Sequence, residues 1–136
     1  MDIETTKILV VDDSAVIRKS LTQLLKEAGA EVTTAEDGEQ GIQKVKDIKP
    51  KLVILDLLLP KIPGEEVCKK IRKDNQIKDI PIIIISGIEN VYSFKEPKFR
   101  ELIPDKKIPE PFAFFEKPVN IPELVALIGN LFDSAK

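Results

Sequence analysis

Short apolar runs alternate along this chain with stretches whose apolar residues recur at helical spacing, the pattern of strands and amphipathic helices in turn. The change is sharpest from Lys51 to Gly64, KLVILDLLLPKIPG. Leu52 to Leu55 is unbroken and rich in branched residues, as in a strand covered on both faces of a parallel sheet. The run ends at Asp56, and the apolar Leu57 to Leu59 with the breakers Pro60, Pro63 and Gly64 follow. The carboxylate therefore falls where the strand leaves the core and a loop begins. Lys7 to Val11, KILVV, predicts a second buried strand, ending directly on Asp12 and Asp13. Glu31 to Ala35, EVTTA, predicts another. Ile82 to Ser86, opened by Pro81, is the most strongly β-branched run and ends on a hydroxyl. Ala113 to Phe115 predicts a short strand leading to Glu116-Lys117-Pro118.

Helical stripes fill the intervals. Ser14 is placed to cap a helix whose Ile17, Leu21, Leu24, Leu25 and Ala28 share one face, with Gly29 at its C-terminal end. Glu36-Asp37-Gly38 turns into a helix bearing Ile42, Val45 and Ile48, closed by Pro50. Val67, Cys68 and Ile71 mark the buried side of a helix beginning near Gly64, and Asn75 and Asp79 lie in the polar connection after it. Leu124, Val125, Ile128, Leu131 and Phe132 predict a last helix. Five strands alternating with helices imply an α/β fold, a doubly wound parallel sheet with helices on both faces. The stretch from Gly87 to Phe112 is irregular: Pro97, Pro104, Pro109 and Pro111 leave room only for a short helix, Pro97 to Ile103. Phe94, Phe99, Leu102 and Ile103 either pack as a core edge or form a partner surface.

Parallel pairing puts all strand C-termini on one edge, where ligands bind in such sheets. Asp12, Asp13, Asp56, Ser86 and Lys117 each follow an apolar run and gather there. Singly, each has an ordinary use: a helix cap for Asp12 or Asp13, a loop cap for Asp56, a strand-end turn for Ser86, a solvated cation for Lys117. Jointly, at four strand ends of one sheet, they read as a site.

Composition narrows what that site does. The 136 residues suit a single domain, 1–136, with a core of about residues 7–132. With 21 basic and 23 acidic residues the net charge is −2, so there is no basic field for direct nucleic-acid binding. The apolar runs are too short for membrane insertion, and the start, MDIETTK, has no signal-peptide core. The single cysteine, Cys68, lies on an apolar helical face, where packing is the ordinary role, and a reducing, cytoplasmic location is expected. The chain contains no histidine, which removes His-dependent triads, the usual zinc sites and any phosphohistidine of its own.

Three carboxylates a few ångströms apart repel by about 4 kcal/mol per pair at an effective dielectric near 20, before relaxation, so protons or a cation must compensate. An all-oxygen acidic set favours a hard cation that keeps its waters, Mg²⁺ first. A lysine and a hydroxyl beside it can meet phosphate oxygens. These are the parts of phosphoryl transfer: a nucleophile, a metal clamp and donors for developing charge.

VVDDS at Val10 to Ser14, DLLLPKIPG from Asp56, IIISG ending at Gly87 and FEKP at Phe115 to Pro118 together resemble a receiver domain of the two-component response regulators, of the chemotaxis-regulator kind. The resemblance covers about Lys7 to Phe132 and implies a flavodoxin-like sheet in the order 2-1-3-4-5. It implies that Asp56 is the phosphoryl acceptor, attacking a phosphohistidine on a sensor histidine kinase or histidine phosphotransfer protein. Asp13, Asp56 and the Leu58 backbone carbonyl would ligate Mg²⁺, with Asp12 acting mostly through a metal-bound water. Ser86 would follow the phosphoryl group inward, Lys117 would pair with it, and Phe114 matches the family's switch aromatic. The Lys117–Pro118 peptide is usually cis in this family. Two departures stand out. Leu58 occupies a position where a polar side chain would orient attacking water, which implies slow self-dephosphorylation, and the family's fourth-helix region, 87–112 here, is longer and richer in proline than usual.

The implied function is a phospho-switched interaction domain of a signalling pathway, not an enzyme with a diffusible product. A degenerate receiver that binds partners without phosphorylation is the first alternative. A haloacid-dehalogenase-like phosphatase is the second, but that family wants an Asp where Leu58 stands.

Overall fold

The computed structural model describes residues 6–86, 104, 108, 111–116 and 119–133, with 86, 116, 121, 132 and 133 described as backbone. Its strands are β1 (Lys7–Val11), β2 (Glu31–Ala35), β3 (Leu52–Asp56), β4 (Ile82–Ser86) and β5 (Ala113–Glu116). They form one sheet in the order β2-β1-β3-β4-β5, with every neighbouring pair parallel. The described helices are α1 (Ala15–Glu27), α2 (Gly38–Ile48), α3 (Gly64–Lys73) and α4 (Ile121–Asp133).

Strand alternation divides the core into two layers. Leu9, Val11, Val53, Leu55, Ile82 and Ile84 project to one face and pack with Val45 of α2 and Val67, Cys68 and Ile71 of α3. Ile8, Val10, Leu52, Ile54, Ile83 and Ile85 project to the other and meet Leu21 and Leu25 of α1 and Leu124 and Ile128 of α4. All five residues of β3 are buried, as expected of a central strand covered on both sides, whereas the edge strand β2 buries only Ala35.

The caps fall where local chemistry puts them. The Ser14 hydroxyl accepts the Ile17 N–H at the start of α1, and Asp37 Oδ1 accepts the Gln40 N–H at the start of α2. Two strands run one residue further than their apolar runs: β3 includes Asp56, paired with Ile85, and β5 includes Glu116, paired with Ser86. The connection after α3 is less polar than its sequence suggests. Ile77 within it is 2% exposed and joins the first core layer, and Arg72 Nη1 donates to the carbonyls of Lys78 and Ile80 at 2.8 and 2.5 Å.

Of the irregular stretch before β5, Ile108 is buried in the same layer as Ile77, and Pro111 is also buried. The helix expected at 97–103, with Phe94, Phe99, Leu102 and Ile103, lies outside the described residues.

Candidate functional site

Register decides which acids meet. Val11 pairs with Leu55 across β1 and β3, so Asp12 and Asp56, the next residue on each chain path, emerge side by side at the C-terminal edge. Carboxylate oxygens of Asp12, Asp13 and Asp56 all lie within 4.8 Å of one another. Asp12 is 0% exposed and Asp56 3%, while Asp13 faces solvent.

The peptide around Asp12 is pinned on several sides. Its N–H donates to the Ala35 carbonyl at 3.1 Å, and its Oδ1 accepts the Ser14 N–H at 2.9 Å. Arg18, one turn into α1, donates from Nη1 to the Asp12 carbonyl at 2.8 Å and places Nη2 3.6 Å from Glu36 Oε2. The start of α1 is thereby tied to the ends of β1 and β2.

Asp56 opens a seven-residue loop, 57–63. Leu57 is buried and Leu59 and Ile62 pack on the first core layer, whereas Leu58 between them is 63% exposed. The Leu58 N–H donates to Asp56 Oδ1 at 3.3 Å. The loop returns so tightly that a Cβ on Gly64 would lie 2.6 Å from both the Asp56 carbonyl oxygen and Leu57 Cα, so only glycine lets α3 start there. At the far side of the loop Lys61 Nζ approaches Asp37 Oδ2 to 3.5 Å. The Gln40 N–H, and after it Lys61, hold the Asp37 carboxyl below the usual carboxylate range against the opposing effect of burial.

The remaining candidates are reached unequally. Ser86 ends β4 one residue past the Asp56–Ile85 pair, so its backbone stands at the same edge. Phe114 is half-buried in β5, paired with Ile84 and packed on the first core layer. Lys117 and its bond to Pro118 lie outside the described residues. Arg18, Asp37 and Lys61 were not singled out from the sequence as site-shaping residues. Arg18 is one cation on a helix face and Asp37 reads as a turn residue, so only their partners reveal them.

A doubly wound sheet with three acids converging at the carboxyl edge of β1 and β3 defines a class of α/β proteins whose site sits at a topological switch point. The family model of the response regulator receiver domain matches residues 8–99, and the chain belongs to that family. Asp12, Asp13, Asp56 and Ser86 fall inside the matched span, and Phe114 and Lys117 beyond it.

The chain is 32% identical over 107 residues to Protein PilG of Pseudomonas aeruginosa, an alignment covering 79% of this chain and 78% of PilG. It is 44% identical over 92 residues to a probable transcriptional regulator, ycf27, of Guillardia theta, covering 67% of this chain but only 35% of ycf27. Among solved structures, the chemotaxis response regulator CheY4 of Vibrio cholerae superposes with a TM-score of 0.78 at 27% identity, covering 93% of this chain and 98% of that one. A putative response regulator from Chloroflexus aurantiacus gives a TM-score of 0.79 at 28% identity, covering 96% and 99%.

Proposed function

We propose that this receiver accepts a phosphoryl group on Asp56 from a phosphohistidine on a sensor histidine kinase or histidine phosphotransfer protein, with Mg²⁺ at the acidic edge. The modified form then alters a protein-interaction surface. The observation that carries this reading is the convergence of three carboxylates, two of them buried, within 4.8 Å.

An all-carboxylate set this compact fits a hard cation that retains water better than a soft one. Asp13, Asp56 and the Leu58 backbone carbonyl would hold Mg²⁺, with Asp12 acting through a water. When bound, the ion supplies the positive charge that lets an anionic phosphate approach three acids.

The chain's own residues do the rest. The Leu58 N–H orients the Asp56 carboxylate, one oxygen of which forms the new bond to phosphorus. The P–N bond of the donor breaks, and its electron pair stays on the imidazole, which takes up a proton from water. Ser86 donates to one phosphoryl oxygen and Lys117 pairs with another. Movement of Ser86 lets Phe114 turn inward, which changes the face that this family builds from its fourth helix, last strand and last helix. The phosphoryl group shifts that equilibrium only by the extra contacts it makes in the active form. Exposed, apolar Leu58 leaves attacking water without a side-chain partner at that position, so hydrolysis of the phosphoryl group is slow. The cytoplasm, where sensor kinases present their phosphohistidines, is the setting that belongs to this reading.

Intact mass after incubation with acetyl phosphate tests it. The expected result is a Mg²⁺-dependent gain of one phosphoryl group in the native chain and none in Asp56→Asn. No gain, under conditions that label another receiver, would instead assign a binding module that works without phosphorylation.

A further inference from the structure

The loop after Asp56 contains a backbone conformation that its sequence does not favour. Lys61 has φ 69°, in the left-handed region that a residue with a Cβ enters only at a cost. A three-residue turn closes around it, with the Ile62 N–H donating to the Pro60 carbonyl at 2.8 Å, and the N-terminus of α2 abuts that turn. The Gly38 N–H donates to the Pro60 carbonyl at 3.4 Å, and Ile62 lies so close that a Cβ on Gly38 would meet its carbonyl oxygen at 2.3 Å. Between these two contacts Lys61 Nζ stands 3.5 Å from Asp37 Oδ2.

Asp37 divides its carboxylate between two tasks, with Oδ1 capping α2 through the Gln40 N–H and Oδ2 facing Lys61. Its side chain is 7% exposed and that of Lys61 58%, so a nearly buried acid takes its cation from the loop. The strained residue and the one that brings the charge are the same.

We propose that the Asp37–Lys61 pair is a positioning latch for the candidate metal and phosphoryl site. It draws the 57–63 loop onto α2 and so keeps Leu58, three residues before Lys61, beside Asp56. This rests on the reading of Asp56 and the Leu58 carbonyl as Mg²⁺ ligands. Lys61 touches no reacting atom; it acts through the loop.

A latch and a merely stabilising ion pair differ in one variant. Lys61→Gly removes the charge and also relieves the left-handed strain. If the pair only supported the fold, stability and Mg²⁺ affinity would move together.

The test is calorimetric Mg²⁺ titration of the full chain alongside thermal unfolding of the metal-free protein. Lys61→Gly is expected to unfold no lower than the native chain yet to bind Mg²⁺ about tenfold more weakly, the usual scale for loss of a group that orients a ligand. Asp37→Asn, which keeps a capping oxygen, is expected to lose Mg²⁺ affinity similarly, and Lys61→Arg, which keeps the charge, to remain near native. Unchanged Mg²⁺ affinity in Lys61→Gly overturns the latch alone. A native chain that binds no Mg²⁺ overturns the site reading and the latch with it.

Discussion

Two parallel strands deliver acids to the same edge, and the chain leaves them by opposite means. After β1 the turn is brief: Asp12 and Asp13 run into Ser14, whose hydroxyl starts α1, and Arg18 reaches back to the Asp12 carbonyl. Most contacts there lie within six residues of Asp12, the exceptions being its N–H on the Ala35 carbonyl and Arg18 beside Glu36. After β3 the loop is seven residues long, carries two prolines and a left-handed lysine, and is held by α2, α3 and the core. The short turn pins Asp12 mainly through residues near it in sequence, with one bond to β2, whereas the long loop is shaped by segments distant in sequence. The difference teaches where the site can be adjusted. A change in the β1 turn affects a cap, while a change in the β3 loop reaches the candidate acceptor through packing.

The largest expected effect exposes that contrast directly. Gly64→Ala places a methyl group 2.6 Å from backbone on two sides and is expected to destabilise by about 1–3 kcal/mol, the scale of overpacking. Ser14→Ala, on the short side, removes one capping bond and costs about 1 kcal/mol. Urea midpoints of the two variants would rank them; a Ser14 variant weaker than the Gly64 variant would reverse the comparison.

Acid sensitivity sharpens it. The Asp37 carboxyl is held below its ordinary value of 3.8 by the Gln40 N–H and by Lys61. A depressed folded pKa contributes stability that is fully present above the unfolded value and is lost as pH falls through the folded one. The stability advantage of the native chain over Asp37→Leu should therefore be constant above about pH 5 and shrink as the pH falls through 3.8 and below. An advantage that persisted undiminished at the lowest pH would show that the carboxylate's charge contributes nothing.

The smallest structural effect falls on the one exposed leucine of the loop. Leu58→Asn leaves the core untouched and should shift stability by less than about 0.5 kcal/mol. The same change should shorten the phosphoryl half-life several-fold by giving water a polar neighbour. Decay of the phosphorylated form, followed by mass, reads this, and an unchanged or longer half-life would contradict the role assigned to Leu58.

Much of this protein is legible in its sequence because it depends on neighbours along the chain. The strands, the four described helices, the cap at Ser14, the turn at Asp37 and the placement of Asp12, Asp13 and Asp56 after apolar runs all follow from period and punctuation. Parallel topology then makes the convergence of those acids a consequence of the fold, and the register Val11 to Leu55 carries it out.

What the tertiary structure alone decided is a set of meetings between remote segments. No local pattern tells that Ile77, in a polar connection, would be buried, that Arg18 would stand beside Glu36, or that Lys61 would lie against Asp37. Periodicity states which face of a segment is apolar; it does not state what abuts it. The contacts of Arg18 and Lys61 exist because β1 lies between β2 and β3 in the sheet, which brings the starts of α1, α2 and α3 together around one edge; Ile77 is buried at the opposite edge, where the chain passes from α3 into β4.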